Sequence, residues 1–163
     1  MPARTTSFPA VGKPAPGFAL NAHDGSTVAL KDFRGRPVVL YWYPKDDTPG
    51  CTTQACELRD TFPRFRASRA VILGASADSV ESHAKFKKKY DLPFTLLSDP
   101  DHAVATAYGV WQRKKTFGVG YMGIVRTTFI IDKHGVLRAV IPVTRVAGHA
   151  DAVEKALGSL GAA

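Results

Sequence analysis

Apolar residues along this chain fall into short runs separated by polar, glycine-rich or proline-rich breaks. The most continuous run, Val38-Val39-Leu40-Tyr41-Trp42-Tyr43, stops at Pro44 and predicts a buried strand. A helix start follows at once, with Thr48 at the N-cap, Pro49 in the first helical position, and acidic Glu57 and Asp60 further along. Upstream, Phe18-Ala-Leu20 and Thr27-Val-Ala-Leu30 flank Asp24-Gly25, which predicts a hairpin. The two prolines within Val11–Phe18 keep that stretch extended.

Downstream, the helix after Pro49 should run to about Arg66, with Pro63 as a kink or break. Val71–Ser76 predicts a second strand, and Asp78 or Ser79 starts a helix that ends near Tyr90. Phe94–Leu97 predicts a third strand, and Asp99-Pro100 opens a short helix through Tyr108. The glycine- and base-rich stretch from Gly109 to Gly123 reads as a loop. Ile124–Ile131 and Val136–Val143 predict two strands around Asp132-Lys-His-Gly135, and a last helix follows Gly148 as far as Gly158. The order gives one α/β domain with a mixed sheet covered by helices. Residues 1–10 are expected to form a flexible tail and 11–163 the domain.

At 163 residues and 45% hydrophobic content, the chain can bury a core without disulfide staples. No stretch approaches the roughly 18 apolar residues that a membrane span requires. The start lacks the apolar core of a secretory signal, so a cytoplasmic location is expected. A net charge of +8 raises the question of nucleic acid. The basic residues are dispersed, however, and the Lys85, Lys87, Lys88 and Lys89 group reads as a solvated helix face, so no specific nucleic-acid partner is expected.

The candidate chemistry lies in the helix start. Cys51 falls in the first turn, where unpaired backbone N–H groups and the positive end of the helix dipole favour a thiolate. An unperturbed thiol is only about 3% ionised at neutral pH, so complete ionisation accelerates attack by roughly thirtyfold at most. Further rate must come from donors aimed at charge developing in the transition state. The second cysteine, Cys56, stands five residues on. On an ideal helix the two Cα atoms are about 8.7 Å apart, beyond the approximately 7 Å reach of a disulfide. A static disulfide is therefore disfavoured; one formed and undone in a cycle would need local unwinding.

The spacing excludes a Cys-x-x-Cys exchanger and is loose for zinc, with no second cysteine pair to complete a site. His23, His83, His102, His134 and His149 stand singly and read as surface or core residues. From the residues alone, a peroxidase, a general dithiol–disulfide exchanger and a redox-sensing binding protein all remain open.

The run Tyr43-Pro-Lys-Asp-Asp-Thr-Pro-Gly-Cys-Thr-Thr-Gln-Ala-Cys-Glu-Leu-Arg-Asp60 resembles the peroxiredoxin active-site motif, in the bacterioferritin comigratory protein or peroxiredoxin Q form. Gly12–Phe18, Tyr108-Gly-Val-Trp111 and Gly123–Asp132 extend the resemblance over residues 11–158. It implies a thioredoxin-like fold with an added N-terminal hairpin, and reduction of hydrogen peroxide and organic hydroperoxides without metal, haem or flavin. By motif position, Cys51 is similar to the peroxidatic cysteine and Cys56 to the resolving cysteine. Thr48 is similar to the hydroxyl that binds thiolate and peroxide, Pro44 to the proline that shields the sulfur, and Arg126 to the active-site arginine. Thioredoxin or a similar dithiol would regenerate the enzyme, acting on a monomer. Gln54 stands where many members carry Glu.

Overall fold

The computed structural model describes residues 7–160. β1 (Ala19–Ala22) and β2 (Thr27–Ala29) form the expected N-terminal hairpin, with Ala19 opposite Ala29. The Asp24 carboxylate accepts both the N–H and the hydroxyl of Ser26, and Gly25 takes φ +84° to close the turn. The extended segment before it borders the sheet, with Gly12 N–H donating to the Leu137 carbonyl and Leu137 N–H donating to that of Lys13.

β3 (Val38–Trp42), β4 (Val71–Ser76) and β5 (Thr95–Ser98) run parallel, joined by α1 (Pro49–Phe65) and α2 (Val80–Tyr90). A short α3 (Ala103–Ala107) follows β5. It begins three residues after Pro100, because a turn at 100–101 and His102 in the left-handed region (φ +63°) come first; the Asp99 carboxylate then accepts the Ala105 N–H at 2.7 Å. β6 (Trp111–Thr116) and β7 (Val119–Ile124) come next, then β8 (Thr127–Ile131), β9 (Leu137–Pro142) and α4 (His149–Ser159). The main sheet has seven strands in the order β2-β1-β5-β4-β3-β8-β9, antiparallel outside the β5-β4-β3 centre.

β3 explains its own sequence. Val39, Tyr41 and Tyr43 face one core layer with Cys51, Ala55, Leu58 and Phe65 of α1. Val38, Leu40 and Trp42 face the other, with Tyr108, Phe129 and Ile131. A strand covered on both faces reads as an unbroken apolar run rather than as an alternation. Pro63 is accommodated inside α1 two residues before its end, and a single turn of tighter helix, Arg66–Ser68, completes the connection to β4.

One expectation is corrected. Residues 111–123, read as part of a loop, form with Ile124 the two-stranded hairpin β6–β7, with Trp111 opposite Ile124 and Thr116 opposite Val119, and the strand expected from Ile124 begins only at Thr127. Phe117 and Gly118 at its tip both adopt positive φ, which is the backbone of a two-residue turn between twisted strands. The hairpin stands apart from the main sheet, and most of its residues are exposed. It therefore lacks the apolar–polar alternation that marks a half-buried strand. Of the expected tail, residues 1–6 lie outside the described residues, while Phe8 packs edge-on against Phe129.

Candidate active site

The site lies at the carboxyl end of β3, where an open parallel sheet leaves room between strand end and helix start. β3 stops at Trp42, the chain turns through Pro44–Thr48, and α1 begins at Pro49. Cys51, buried at 2% exposure, is in the first turn of α1, and Cys56 is half-buried further along the same helix; both are free thiols. The N–H groups of Gly50 and Cys51 find no acceptor among the described residues, so they remain available to an anion.

Arg126 comes from the other side of the sheet. β3 and β8 pair antiparallel with Trp42 opposite Thr127, which places Arg126, just before β8, beside the start of α1. Its Nη2 donates to Cys51 Sγ at 3.3 Å and its Nη1 to Gln54 Oε1 at 2.6 Å. Gly50 makes this approach possible: a Cβ there would lie 3.1 Å from Nη2. The Gln54 amide reaches on to Nδ1 of His149 at 3.5 Å, and Nε2 of that ring is 2.7 Å from the Thr128 hydroxyl. Burial, with the nearby Arg126 charge, pushes the His149 pKa down to about 4.

Thr48 and Pro44 are both half-buried in the turn. The Thr48 carbonyl accepts the Thr52 N–H, as an N-cap should. Its hydroxyl donates to the Lys45 carbonyl at 2.8 Å, which leaves the oxygen lone pairs free to accept.

Beneath the turn lies a network that sequence reasoning missed. Asp46, also buried, accepts from the Tyr43 hydroxyl at 2.5 Å and the Ser82 hydroxyl at 2.8 Å, and its Oδ2 lies 2.7 Å from His83 Nδ1. His83 Nε2 meets the Leu97 carbonyl at 2.8 Å. The Asp46 N–H donates to Asp78, whose carboxylate also takes the Ser76 hydroxyl. Asp46, Asp78 and His83 are close enough to share a metal ion, but hydrogen bonds already occupy their ligand atoms. Of the lone histidines, His83 and His149 are core residues and His134 is exposed. No spacing in the sequence connects positions 46 and 83, or 54 and 149.

The arrangement gathers a guanidinium donor and free backbone N–H groups around one buried sulfur. Residues 11–140 match the AhpC/TSA family, and the chain belongs to that family. Relatives include the peroxiredoxin Bcp of Bacillus subtilis, 54% identical over 77% of this chain and 80% of that protein. The putative peroxiredoxin bcp of Coxiella burnetii is 52% identical over 85% of this chain and 92% of that one. Among solved structures, a cysteine-to-serine mutant of Xanthomonas campestris peroxiredoxin Q superposes with a TM-score of 0.87 at 37% identity, covering 95% of this chain and all of that one. The bacterioferritin comigratory protein of the same organism, described with its alkyl peroxide reduction activity, gives 0.83 at 38% identity over 88% and 91% of the two chains. Within the family the chain is thus a peroxiredoxin of the Bcp or Q type, a thiol peroxidase with the thioredoxin-like fold.

Proposed function

We propose that Cys51 is the peroxidatic thiolate, Cys56 the resolving thiol, and Arg126, Thr48 and Pro44 the groups that prepare the sulfur and the peroxide. The observation that carries this reading is the Arg126 Nη2 donor 3.3 Å from Cys51 Sγ in the first turn of α1. The thiolate attacks one peroxide oxygen, the O–O bond breaks, and the electron pair leaves on the other oxygen, which takes a proton and departs as water or an alcohol. Cys51 is left as a sulfenic acid. The free N–H groups of the first turn and the Arg126 fork face charge that grows on both oxygens in this step. Thr48 accepts the peroxide O–H through its free lone pairs, and Pro44 keeps water from the sulfur.

The Cys56 thiol then condenses with the sulfenic acid, forming the S–S bond and releasing water. An external dithiol, thioredoxin or a similar protein, reduces that disulfide by two exchanges and is itself oxidised. The substrates are hydrogen peroxide and organic hydroperoxides. The enzyme acts as a monomer in the cytoplasm, where the glutathione and thioredoxin systems keep thiols reduced. Among the described residues no helix is long and apolar enough to cross a membrane.

One equivalent of hydrogen peroxide added to reduced protein should give a Cys51–Cys56 disulfide, and in Cys56→Ser a trapped Cys51 sulfenic acid, both read by mass spectrometry. Thiols that stay reduced for minutes would remove the assignment and favour a slow exchanger.

α1 runs unbroken through both cysteines, so the disulfide requires the helix start to unwind. The oxidised form should lose amide protection over about residues 49–58, while β3 and β8 keep theirs. Equal protection in both redox forms would mean that the bridge forms without unwinding.

A further inference from the structure

We propose that His149, at the start of α4, is a positioning residue that holds Arg126 on the Cys51 sulfur by fixing the orientation of the Gln54 amide. The inference rests on the role assigned to Arg126 above. A guanidinium only donates, so the Gln54 atom 2.6 Å from Arg126 Nη1 must be the oxygen. The Gln54 NH2 group then faces His149 Nδ1, which must accept. An accepting Nδ1 leaves the ring proton on Nε2, where it is donated to Thr128 Oγ1 at 2.7 Å.

The chain of contacts closes on itself, because Thr128 lies two residues after Arg126. Three elements meet in it: α1 through Gln54, α4 through His149, and the entry to β8 through Arg126 and Thr128. Gln54, Thr128 and His149 are all buried, so water is not at hand to replace a lost partner.

The alternatives fail in sequence. A proton on Nδ1 would set His149 and the Gln54 NH2 group donor to donor. Flipping the amide to relieve that clash would turn the NH2 group onto Arg126 Nη1, again donor to donor. The tautomer of a ring remote from the sulfur therefore decides whether the Arg126 fork has its second anchor. Depression of the His149 pKa to about 4 keeps the ring neutral near pH 7, as this chain of bonds requires. Gln54 lies between the two cysteines, on the part of α1 that unwinds on oxidation. His149, on α4, would be the fixed point to which it returns.

The test is a double-mutant cycle on the full chain with His149→Leu and Gln54→Leu, alongside His149→Asn. Readouts are kcat/KM for hydrogen peroxide, the pH dependence of Cys51 alkylation by iodoacetamide in the Cys56→Ser background, and urea stability. His149→Leu should lower kcat/KM by about 10-fold, as loss of a supporting partner commonly does, and shift Cys51 alkylation to higher pH. His149→Asn, whose amide can accept at the Nδ1 position, should recover most of that loss. In Gln54→Leu, His149→Leu should have little further effect, because the two act on Arg126 in series. Unchanged kinetics and alkylation in His149→Leu, or a full additional loss on top of Gln54→Leu, would overturn the proposal. If His149→Leu does not fold, His149→Phe, which keeps a ring but lacks the acceptor at Nδ1, takes its place in the same cycle. An Arg126→Gln variant separates the two readings. If it is fully active, the role of Arg126 fails; if it is impaired while His149→Leu is not, only the role of His149 fails.

Discussion

Arg126→Gln should lower kcat/KM for hydrogen peroxide by about 10²–10³-fold, the usual cost of removing one donor aimed at transition-state charge. Arg126 provides a positive charge and two separately used nitrogens, one on Cys51 Sγ and one on Gln54 Oε1. Glutamine removes the charge, and its shorter side chain cannot span both partners. Arg126→Lys keeps the charge but has a single nitrogen, so it should recover only a small part of the loss. Stopped-flow peroxide reduction under single-turnover conditions isolates the step. A loss below about threefold, under 1 kcal/mol, would mean that the helix terminus alone activates the sulfur.

Asp46→Ala should destabilise the fold by about 3–5 kcal/mol, the range for removing one partner from a buried charged network. The Tyr43 and Ser82 hydroxyls and His83 Nδ1 all use this carboxylate. Deletion leaves the buried Tyr43 hydroxyl and His83 Nδ1 without their common partner, while the half-buried Ser82 hydroxyl can turn to water. Tyr43 cannot escape by ionising, since burial, the chief reason its phenol lies well above the usual value, is untouched by the substitution. Urea denaturation measures the loss. Because Asp46 is in the turn between β3 and α1, the variant should also lower peroxidase activity at temperatures where it remains folded. A cost under about 1 kcal/mol, the level of an exposed ion pair, would show that the network adds nothing beyond solvated contacts.

The two networks mark where sequence reading stopped. Residues 38–51 could be read as strand, turn and helix start because each signal is local: an unbroken apolar run, a proline, a hydroxyl before Pro49. Gln54 looked like a departure from a familiar glutamate, and its neighbour His149 is 95 positions away. His83 looked like a lone histidine, yet it joins α2 to the active turn 37 positions before it. The hairpin at 111–124 was missed for a different reason. Both its faces meet water over most of its length, so selection for burial left no alternating pattern, and its turn uses Phe117-Gly118 rather than the Asn-Gly or Asp-Gly signal.

By itself the sequence determined what depends on neighbours in the chain: β3 and its burial, the start of α1, the presence of both cysteines on one helix, and the family motif around them. Tertiary structure decided what depends on which strands lie side by side. The antiparallel pairing of β3 with β8, with Trp42 opposite Thr127, brings Arg126 to a sulfur 75 positions earlier in the chain. The docking of α4 sets His149 against Gln54, and α2 carries His83 to Asp46. Such contacts arise from the burial of whole faces of sheet and helix, which no local pattern encodes, so the groups that hold Arg126 in place became visible only in the folded chain.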